Sequence, residues 1–169
     1  MELRGRDVTL RPVEPGDAPI LAEILAERAV ARWWGAFDLE RVKRDLTAAH
    51  PDEEGFAIAH DGAVIGYIQA VEENEADFRH ASIDLFVRTA AQGRGLGPDA
   101  IRALAKHLID DRGHHRITID PAAANSQAIA AYERVGFRPV GIMRQYQRMT
   151  DGTWVDALLM DLLAAELVR

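Results

Sequence analysis

Residues 83–98 read IDLFVRTAAQGRGLGP, and this stretch decides the fold. An apolar run typical of a buried strand leads into Gly93, Gly95 and Gly97, and Pro98 then stands where the first turn of a helix tolerates proline. Glycines let the backbone approach a ligand closely, and a helix N-terminus adds free N–H groups and the positive end of the helix dipole. The stretch therefore predicts a strand, an anion-binding turn and a helix.

The spacing of the glycines limits which anion this turn can hold. A Walker-type loop needs Gly-Lys-Ser/Thr at its end, whereas Pro98 and Asp99 follow Gly97 here. A dinucleotide-binding fingerprint needs G-x-G-x-x-G, and the present spacing is G-x-G-x-G. What remains is Q-x-x-G-x-G, formed by Gln92, Gly95 and Gly97. For this turn alone, a tight connection that holds no ligand stays an alternative.

A second and more specific pattern lies within residues 120–137. It reads N-x-x-A-x-x-x-Y-E-x-x-G-F and runs from Asn125 to Phe137. With these two motifs the chain resembles the GCN5-related N-acetyltransferases, the GNAT family, in which the first motif grips the pyrophosphate of acetyl-coenzyme A and the second also binds the coenzyme. The resemblance implies coenzyme contacts at Phe86, Val87, Gln92, Gly93, Arg94, Gly95, Leu96, Gly97, Asn125, Ala128 and Tyr132.

The predicted order of elements agrees with this resemblance. Alternation, turn signals and helical periodicity predict strands at 8–13, 56–60, 63–71, 81–87, 116–120, 140–149 and 154–163, and helices at 17–28, from Leu39, after the glycine turn and at 128–135. The result is one domain, residues 1–169, with seven strands and four helices. The resemblance implies that these form a mixed α/β (α+β) fold, with a central, mostly antiparallel sheet of about seven strands flanked by about four helices. The GNAT resemblance adds strands that splay apart at the acetyl-coenzyme A site.

Composition narrows the class of protein and its partners. The chain has 169 residues, 48% of them hydrophobic, and contains no apolar run near the roughly 18 residues that a membrane span needs. A net charge of -7 argues against a nucleic-acid partner and suits a cationic substrate. Without cysteine, direct acyl transfer is favoured, and six scattered histidines predict no metal site. The N-terminal segment is too charged for a secretory signal, so we expect a cytoplasmic protein. We expect it to be a monomer or a homodimer.

Within the GNAT family the chain is similar to aminoglycoside 6′-N-acetyltransferases. The similarity is carried by residues 8–11, 33–35, 65–67 with Gln69, 83–84, and 118–121 with Asn125. In those enzymes the Trp-Trp-Gly segment borders the drug site, and the aspartates of the last two segments face the antibiotic. The resemblance implies a cationic aminoglycoside as partner, with contacts at Trp33, Trp34, Gln69, Asp84 and Asp120.

Two of these regions have alternative interpretations. Acidic residues crowd the connection at 72–77, which is typical of a solvated loop but also suits an anionic rim for a polyamine. On the second interpretation Glu72 contacts the substrate. Trp33 and Trp34 either wall a pocket or fill the end of the core, because aromatic rings bury large areas wherever they lie.

The chemistry of amine acetylation suggests roles for two residues. An amine attacks a thioester only when it is unprotonated and held within about 3.5 Å of the carbonyl carbon. Asp84 is interpreted first as an anion that orients the amine and second as its base, since an ordinary aspartate pKa of about 3.9 makes a weak base unless burial raises it. Tyr132 occupies the family's position for the acid that protonates the departing thiolate. The alternatives are a salt-bridged strand end for Asp84 and a core residue beside Phe137 for Tyr132.

The leading functional prediction is transfer of an acetyl group from acetyl-coenzyme A directly to a primary amine of an aminoglycoside, first of all the 6′-amine. Such an activity gives antibiotic resistance. One alternative is an acetyltransferase of a protein N-terminus, a peptide, or a metabolite or siderophore amine. The other is a coenzyme-A-binding sensor without catalysis.

Overall fold

Eight strands form one sheet in the computed structural model, which describes residues 1–169. The strands are β1 (Leu3–Arg4), β2 (Thr9–Pro12), β3 (Glu53–His60), β4 (Ala63–Glu73), β5 (His80–Val87), β6 (Arg116–Ile119), β7 (Arg138–Arg148) and β8 (Trp154–Leu163). Their order across the sheet is β1-β2-β3-β4-β5-β6-β8-β7. All neighbours are antiparallel except β5 and β6, which a helical crossover makes parallel.

Five α-helices accompany the sheet, namely α1 (Ala18–Leu25), α2 (Arg28–Trp34), α3 (Leu39–Asp45), α4 (Leu96–Asp110) and α5 (Ser126–Glu133). Short 3-10 turns lie at Pro15–Asp17, Thr89–Ala91 and Ala164–Glu166. None of the helices combines the length and the apolarity that crossing a bilayer would require.

The predicted mixed α/β fold is confirmed, with two differences in its elements. Strand β1 pairs with β2, Leu3 opposite Leu10, and makes the sheet eight-stranded rather than about seven-stranded. The segment that holds Trp33 and Trp34 was interpreted as a connection between two helices, but it is helix α2 and makes five helices rather than about four. Seven residues are too few to show helical periodicity clearly, and two of them are bulky aromatics that suit several conformations.

Side chains from the two faces of the sheet pack into two separate cores. The larger cluster contains Ile101, Leu104 and Leu108 of α4, all fully buried against the sheet. The smaller cluster joins α1, α2 and α3 to the opposite face. Successive residues of β5 show the division, because Leu85 belongs to the first cluster and Phe86 to the second. Each fully buried Leu or Ile contributes roughly 1.5–3 kcal/mol, so α4 holds the first face firmly.

The parallel pair β5 and β6 separates after two residue pairs. Ala81 lies opposite Ile117 and Ser82 opposite Thr118, and the hydroxyls of Ser82 and Thr118 are 2.8 Å apart. Beyond this point β5 continues to pair only with β4, as far as Val87. The chain after β6 follows β8 instead, since the N–H of Leu158 donates to the Pro121 carbonyl at 2.8 Å. The expected splay of the sheet is therefore present, between the ends of β5 and β6.

Candidate active site

A cleft of about 920 Å³ opens at the splay. Residues of β4 and β5 form its floor, the glycine turn and α5 line one side, and α2 lines the other. The residues that follow β6 and part of β7 complete the wall. Ligand pockets in proteins are commonly about 300–1,000 Å³, so this cleft is large enough for two substrates that meet.

The glycine turn presents a row of free donors to the cleft. Gly93 has φ 73° and Gly95 has φ 78°, the left-handed region that glycine enters without cost. The N–H groups of residues 93–97 make no hydrogen bond within the protein, and α4 has no side-chain cap at its N-terminus. The Gln92 side chain donates to the Val87 carbonyl at 2.9 Å, which fixes the turn to the end of β5. Free N–H groups at the start of a long helix fit a pyrophosphate.

Helix α5 places Tyr132 on the same side of the cleft. The Asn125 side chain accepts the N–H of Ala128 at 3.2 Å and caps the helix, and both residues line the cleft. The Tyr132 ring lies beside Phe137, with centroids 6.4 Å apart, so it combines a packing role with access to the cleft. Burial, followed by the charges of Asp84 and Asp120, raises the pKa of Tyr132 above its ordinary value. The phenol therefore keeps its proton at neutral pH and can donate it.

Asp84 lies on β5 just beyond the last residue pair with β6, and its side chain is exposed into the cleft. One carboxylate oxygen accepts the N–H of Leu85 at 3.0 Å. Desolvation by the surrounding walls, followed by the charge of Asp120, raises the pKa of Asp84 to about 7. The hydrogen bond from the Leu85 N–H acts in the opposite direction and is outweighed. Because the carboxylate is open to the cleft, water inside it weakens the desolvation, which takes full effect when substrates fill the cleft. Asp84 can thus accept a proton near neutral pH.

Asp120 follows β6 and faces the cleft from the other side of the splay. Its charge contributes to the raised pKa of Asp84, so the two carboxylates act on one another through the cleft. Tyr146 of β7 also lines the cleft. The Asp120 carboxylate, followed by partial burial and the charge of Asp84, raises the pKa of Tyr146.

The two tryptophans differ in environment. The Trp34 indole N–H donates to the Leu85 carbonyl at 3.1 Å, and its ring meets Phe86 edge-on with centroids 5.0 Å apart. Trp34 therefore both packs in the core and borders the cleft. Trp33 lines the cleft with the Arg32 guanidinium 4.5 Å above its ring, a cation–π contact. Both interpretations of this pair hold in part.

The structure brings most of the predicted residues to the cleft. Those that line it are Trp33, Trp34, Gln69, Asp84, Phe86, Val87, Gln92, Gly93, Gly95, Gly97, Asp120, Asn125, Ala128 and Tyr132. The side chain of Leu96 is buried in the core instead, and Arg94 is on the surface near His60. For Leu96, only the backbone N–H is available to a ligand.

Glu72 is not at the cleft. Its carboxylate accepts hydrogen bonds from Arg112 and, at 2.6 Å, from His114, and its side chain is only 8% exposed. The bonds from Arg112 and His114 outweigh burial and lower the pKa of Glu72. The placement corrects the interpretation of Glu72 as part of an anionic rim, because its charge is used inside the protein.

Several cleft residues were not predicted as site residues, among them Arg32, Phe37, Arg41, Tyr146 and Gln147. Phe37 carries the Arg41 guanidinium 3.9 Å above its ring. Tyr146 and Gln147 were placed in an apolar strand of the closing hairpin. Only the irregular pairing of β7 with β8 turns them toward the cleft.

Comparison with known proteins places the chain in a family. A family model described as an acetyltransferase (GNAT) domain matches residues 7–138. The chain is 30% identical over 151 residues to aminoglycoside N(6′)-acetyltransferase type 1 of Klebsiella pneumoniae, over 79% of this chain and 75% of the relative. It is 35% identical over 111 residues to the ribosomal protein bS18-alanine N-acetyltransferase of Escherichia coli K12, over 63% of this chain and 69% of the relative. The structure of AAC(6′)-Ib in complex with paromomycin and acetyl-coenzyme A aligns with a TM-score of 0.79 at 28% identity, covering 95% of each chain.

The splayed sheet and the donor-rich turn thus define an acyl-transferring enzyme that uses a coenzyme thioester. The chain belongs to the GNAT acetyltransferase family, and it is an acetyl-coenzyme A-dependent N-acetyltransferase. The fold, the enzyme class and the co-substrate predicted from the sequence are confirmed. The alternative of a sensor without catalysis is not retained.

Proposed function

We propose that the acceptor is a primary amine of an aminoglycoside, first of all the 6′-amine, and that its acetylation gives antibiotic resistance. Support comes from the relative in Klebsiella pneumoniae, which is named for this reaction. Further support comes from the similar structure of AAC(6′)-Ib in complex with kanamycin and coenzyme A, 28% identical to this chain.

The observation that carries the proposal is the pair Asp84 and Asp120 in one cleft. An aminoglycoside bears several ammonium groups on linked sugar rings, and two carboxylates on opposite sides of the splay can hold two of them. Trp33 offers a flat apolar face to a sugar ring, and Gln69 adds a polar side chain whose oxygen already accepts the Tyr67 hydroxyl at 3.0 Å. This arrangement favours a polycation over an uncharged amine.

The residues of the chain divide the chemistry among them. When bound, acetyl-coenzyme A supplies the activated carbonyl carbon that the amine attacks. The free N–H groups of residues 93–97 would hold the pyrophosphate of the coenzyme. Asp84 binds the ammonium group, and the attacking amine loses its proton to this carboxylate or through water to solvent. Tyr132 donates its proton to the departing thiolate.

The ionisation of Asp84 suits this role. A base must be deprotonated to act, yet it must hold a proton well enough to take one from an ammonium group. With its pKa raised to about 7, Asp84 meets both conditions near neutral pH. The expected consequence is that turnover falls as the pH is lowered through this value.

A protein N-terminus is the second candidate, and the mouth of the cleft favours it. Arg32 and Arg41 line the cleft, where positive charge repels a polycation and attracts an acidic peptide. Arg41 is partly neutralised by Asp45, 3.2 Å away, but Arg32 has no acidic partner. The relative that acetylates ribosomal protein bS18 gives this candidate its second support.

A thiol-release assay with acetyl-coenzyme A decides between the two. We expect turnover with kanamycin and neamine, and little with lysine or with peptides that begin with alanine. Mass spectrometry and NMR of the product then identify the acetylated amine. The proposal would be overturned if a peptide were acetylated and no aminoglycoside caused release of thiol. Arg32→Ala is expected to impair only a reaction with a peptide.

A further inference from the structure

The first turn of α4 is formed without the bonds that usually stabilise a helix start. Its N-cap residue, Gly95, makes no side-chain hydrogen bond to the helix, and Gly97 within the turn is a poor helix former. A capping side chain would occupy N–H groups that the pyrophosphate of the coenzyme needs. The turn must therefore be held in place from outside the helix.

Asp99, in that first turn, bonds it to another part of the chain. One carboxylate oxygen, Oδ1, accepts the N–H of Arg6 at 2.9 Å, and Oδ2 accepts the N–H groups of Asp7 at 2.8 Å and Val8 at 3.1 Å. All three donors belong to the turn between β1 and β2, residues 5–8, which we call the N-terminal turn. Because Asp99 is only 7% exposed, water competes little for these charge-assisted bonds.

The N-terminal turn is itself well anchored. The N–H of Gly5 donates to the Val8 carbonyl at 2.9 Å and closes the turn, and β2, which follows it, pairs with β3 from Thr9 onward. A Cβ at residue 5 would lie 2.5 Å from Oδ2 of Asp99, so the close approach requires glycine. Asp99 thus joins the start of α4 to the sheet.

A second contact joins the N-terminal turn to the glycine turn. The His60 ring donates from Nδ1 to the Asp7 carbonyl at 2.7 Å, and its Nε2 lies 3.5 Å from the Arg94 guanidinium. The tautomer that donates from Nδ1 leaves Nε2 free to accept from Arg94. The N-terminal turn is therefore linked to the donor-rich segment both at Arg94 and at Asp99.

We propose that Asp99 is a positioning residue for acetyl-coenzyme A. Its bonds hold the first turn of α4, and with it the free N–H groups of residues 93–97, where they meet the pyrophosphate. A carboxylate near a helix start would weaken the attraction of that start for an anion. This effect is small here, because Asp99 does not line the cleft and three N–H donors face its charge.

Asp99→Asn tests the proposal at nearly constant shape. An amide has one oxygen, so its NH2 group would face an N–H of the N-terminal turn, and at least one of the three bonds is lost. We expect the Kd of acetyl-coenzyme A, measured by calorimetry, to rise about tenfold, with kcat at saturating coenzyme and the KM of the amine within about twofold. Binding needs no acceptor, so the Kd does not depend on which amine is acetylated. A Kd within about twofold of the wild type would overturn the inference.

A second variant and a control separate position from stability. Gly5→Ala keeps the carboxylate but displaces it, and it is expected to raise the same Kd. Glu72→Ala removes a buried carboxylate that bonds to residues just beyond the other end of α4, and it is expected to leave this Kd unchanged. All variants are compared at a temperature at which circular dichroism shows them to be folded. If Glu72→Ala raised the Kd as much as Asp99→Asn does, loss of stability alone would explain the effect, and the positioning role would be refuted.

A truncated acetyl donor tests whether the effect acts on the pyrophosphate. S-acetylpantetheine carries the same thioester without the pyrophosphate, and we expect its kcat/KM with Asp99→Asn to stay within about twofold of the wild type. The acceptor is the amine that the thiol-release assay identifies. An equal loss of kcat/KM with both donors would mean that the whole cleft is deformed, and would overturn the inference.

Discussion

Asp84 carries a titratable charge at the point where the sheet splays. We expect this charge to lower the free energy of unfolding. The pKa of Asp84 rises from 3.8 to about 7 in the folded protein. A carboxylate with a raised pKa binds its proton more tightly in the folded chain than in the unfolded one. Stability therefore falls as the pH rises from about 4 through about 7, and the full cost is present above that range.

The magnitude follows from the size of the shift and from the exposure of the group. A pKa unit corresponds to about 1.4 kcal/mol, so a shift from 3.8 to about 7 sets an upper limit of about 4 kcal/mol. The side chain is exposed to water in the open cleft, which screens the charge, and we reduce the expected cost to about 1 kcal/mol. For a protein of this size about 1 kcal/mol corresponds to a melting temperature shift of about 3 °C.

Asp84→Asn removes the charge at nearly constant shape. We expect the variant to melt about 3 °C above the wild type at pH 8 and by a smaller margin at pH 4.5, measured by circular dichroism without acetyl-coenzyme A. Part of the cost is already present at pH 4.5, because an aspartate with the ordinary pKa of 3.8 is largely ionised in the unfolded chain there. Asp77→Asn, in the exposed loop before β5, is the matched control and is expected to shift the melting temperature at neither pH. An Asp84→Asn variant no more stable than the wild type at pH 8 would refute the assignment of a raised pKa.

Two further substitutions test the frame around the site. A Cβ at residue 66 would lie 2.2 Å from the Phe86 carbonyl oxygen. Gly66→Ala is therefore expected to lower the free energy of unfolding by about 3 kcal/mol, measured in urea. A loss below about 1 kcal/mol would show that β4 and β5 can move apart. Glu72→Ala leaves His114 and Arg112 without their shared acceptor and is expected to cost about 2 kcal/mol, with the KM of the amine unchanged. A raised KM in Glu72→Ala would return Glu72 to the substrate site.

The sequence predicted the coenzyme half of the cleft better than the substrate half, and the reason is physical. The glycine turn and the cap of α5 are local structures, because Gln92 bonds to Val87 five residues away and Asn125 to Ala128 three residues away. Asp84 was predicted from the resemblance of residues 83–84 to the aminoglycoside acetyltransferases, and it lies on the strand that leads into that turn. Such neighbours along the chain can be recognised without knowing the fold.

The substrate half depends on contacts between distant parts of the chain. Glu72 is held away from the cleft by Arg112 and His114, which lie about forty residues further on, in the connection between α4 and β6. Tyr146 reaches the cleft only because Asp156 holds a bulge that no alternation of residues reveals. The Trp33 and Trp34 segment is helical because Gly35, with φ 83°, ends it and because Trp34 docks on β5.

Turnover of kanamycin by the wild type, Asp84→Asn and Tyr132→Phe, with acetyl-coenzyme A binding measured by calorimetry, tests the central claim most directly. We expect both variants to bind acetyl-coenzyme A as the wild type does. Asp84→Asn is expected to lose about 100-fold or more in kcat, and wild-type turnover to fall below pH 7 in a manner that the variant does not share. If Asp84→Asn turned over kanamycin as fast as the wild type, and with the same pH dependence, the account would be contradicted.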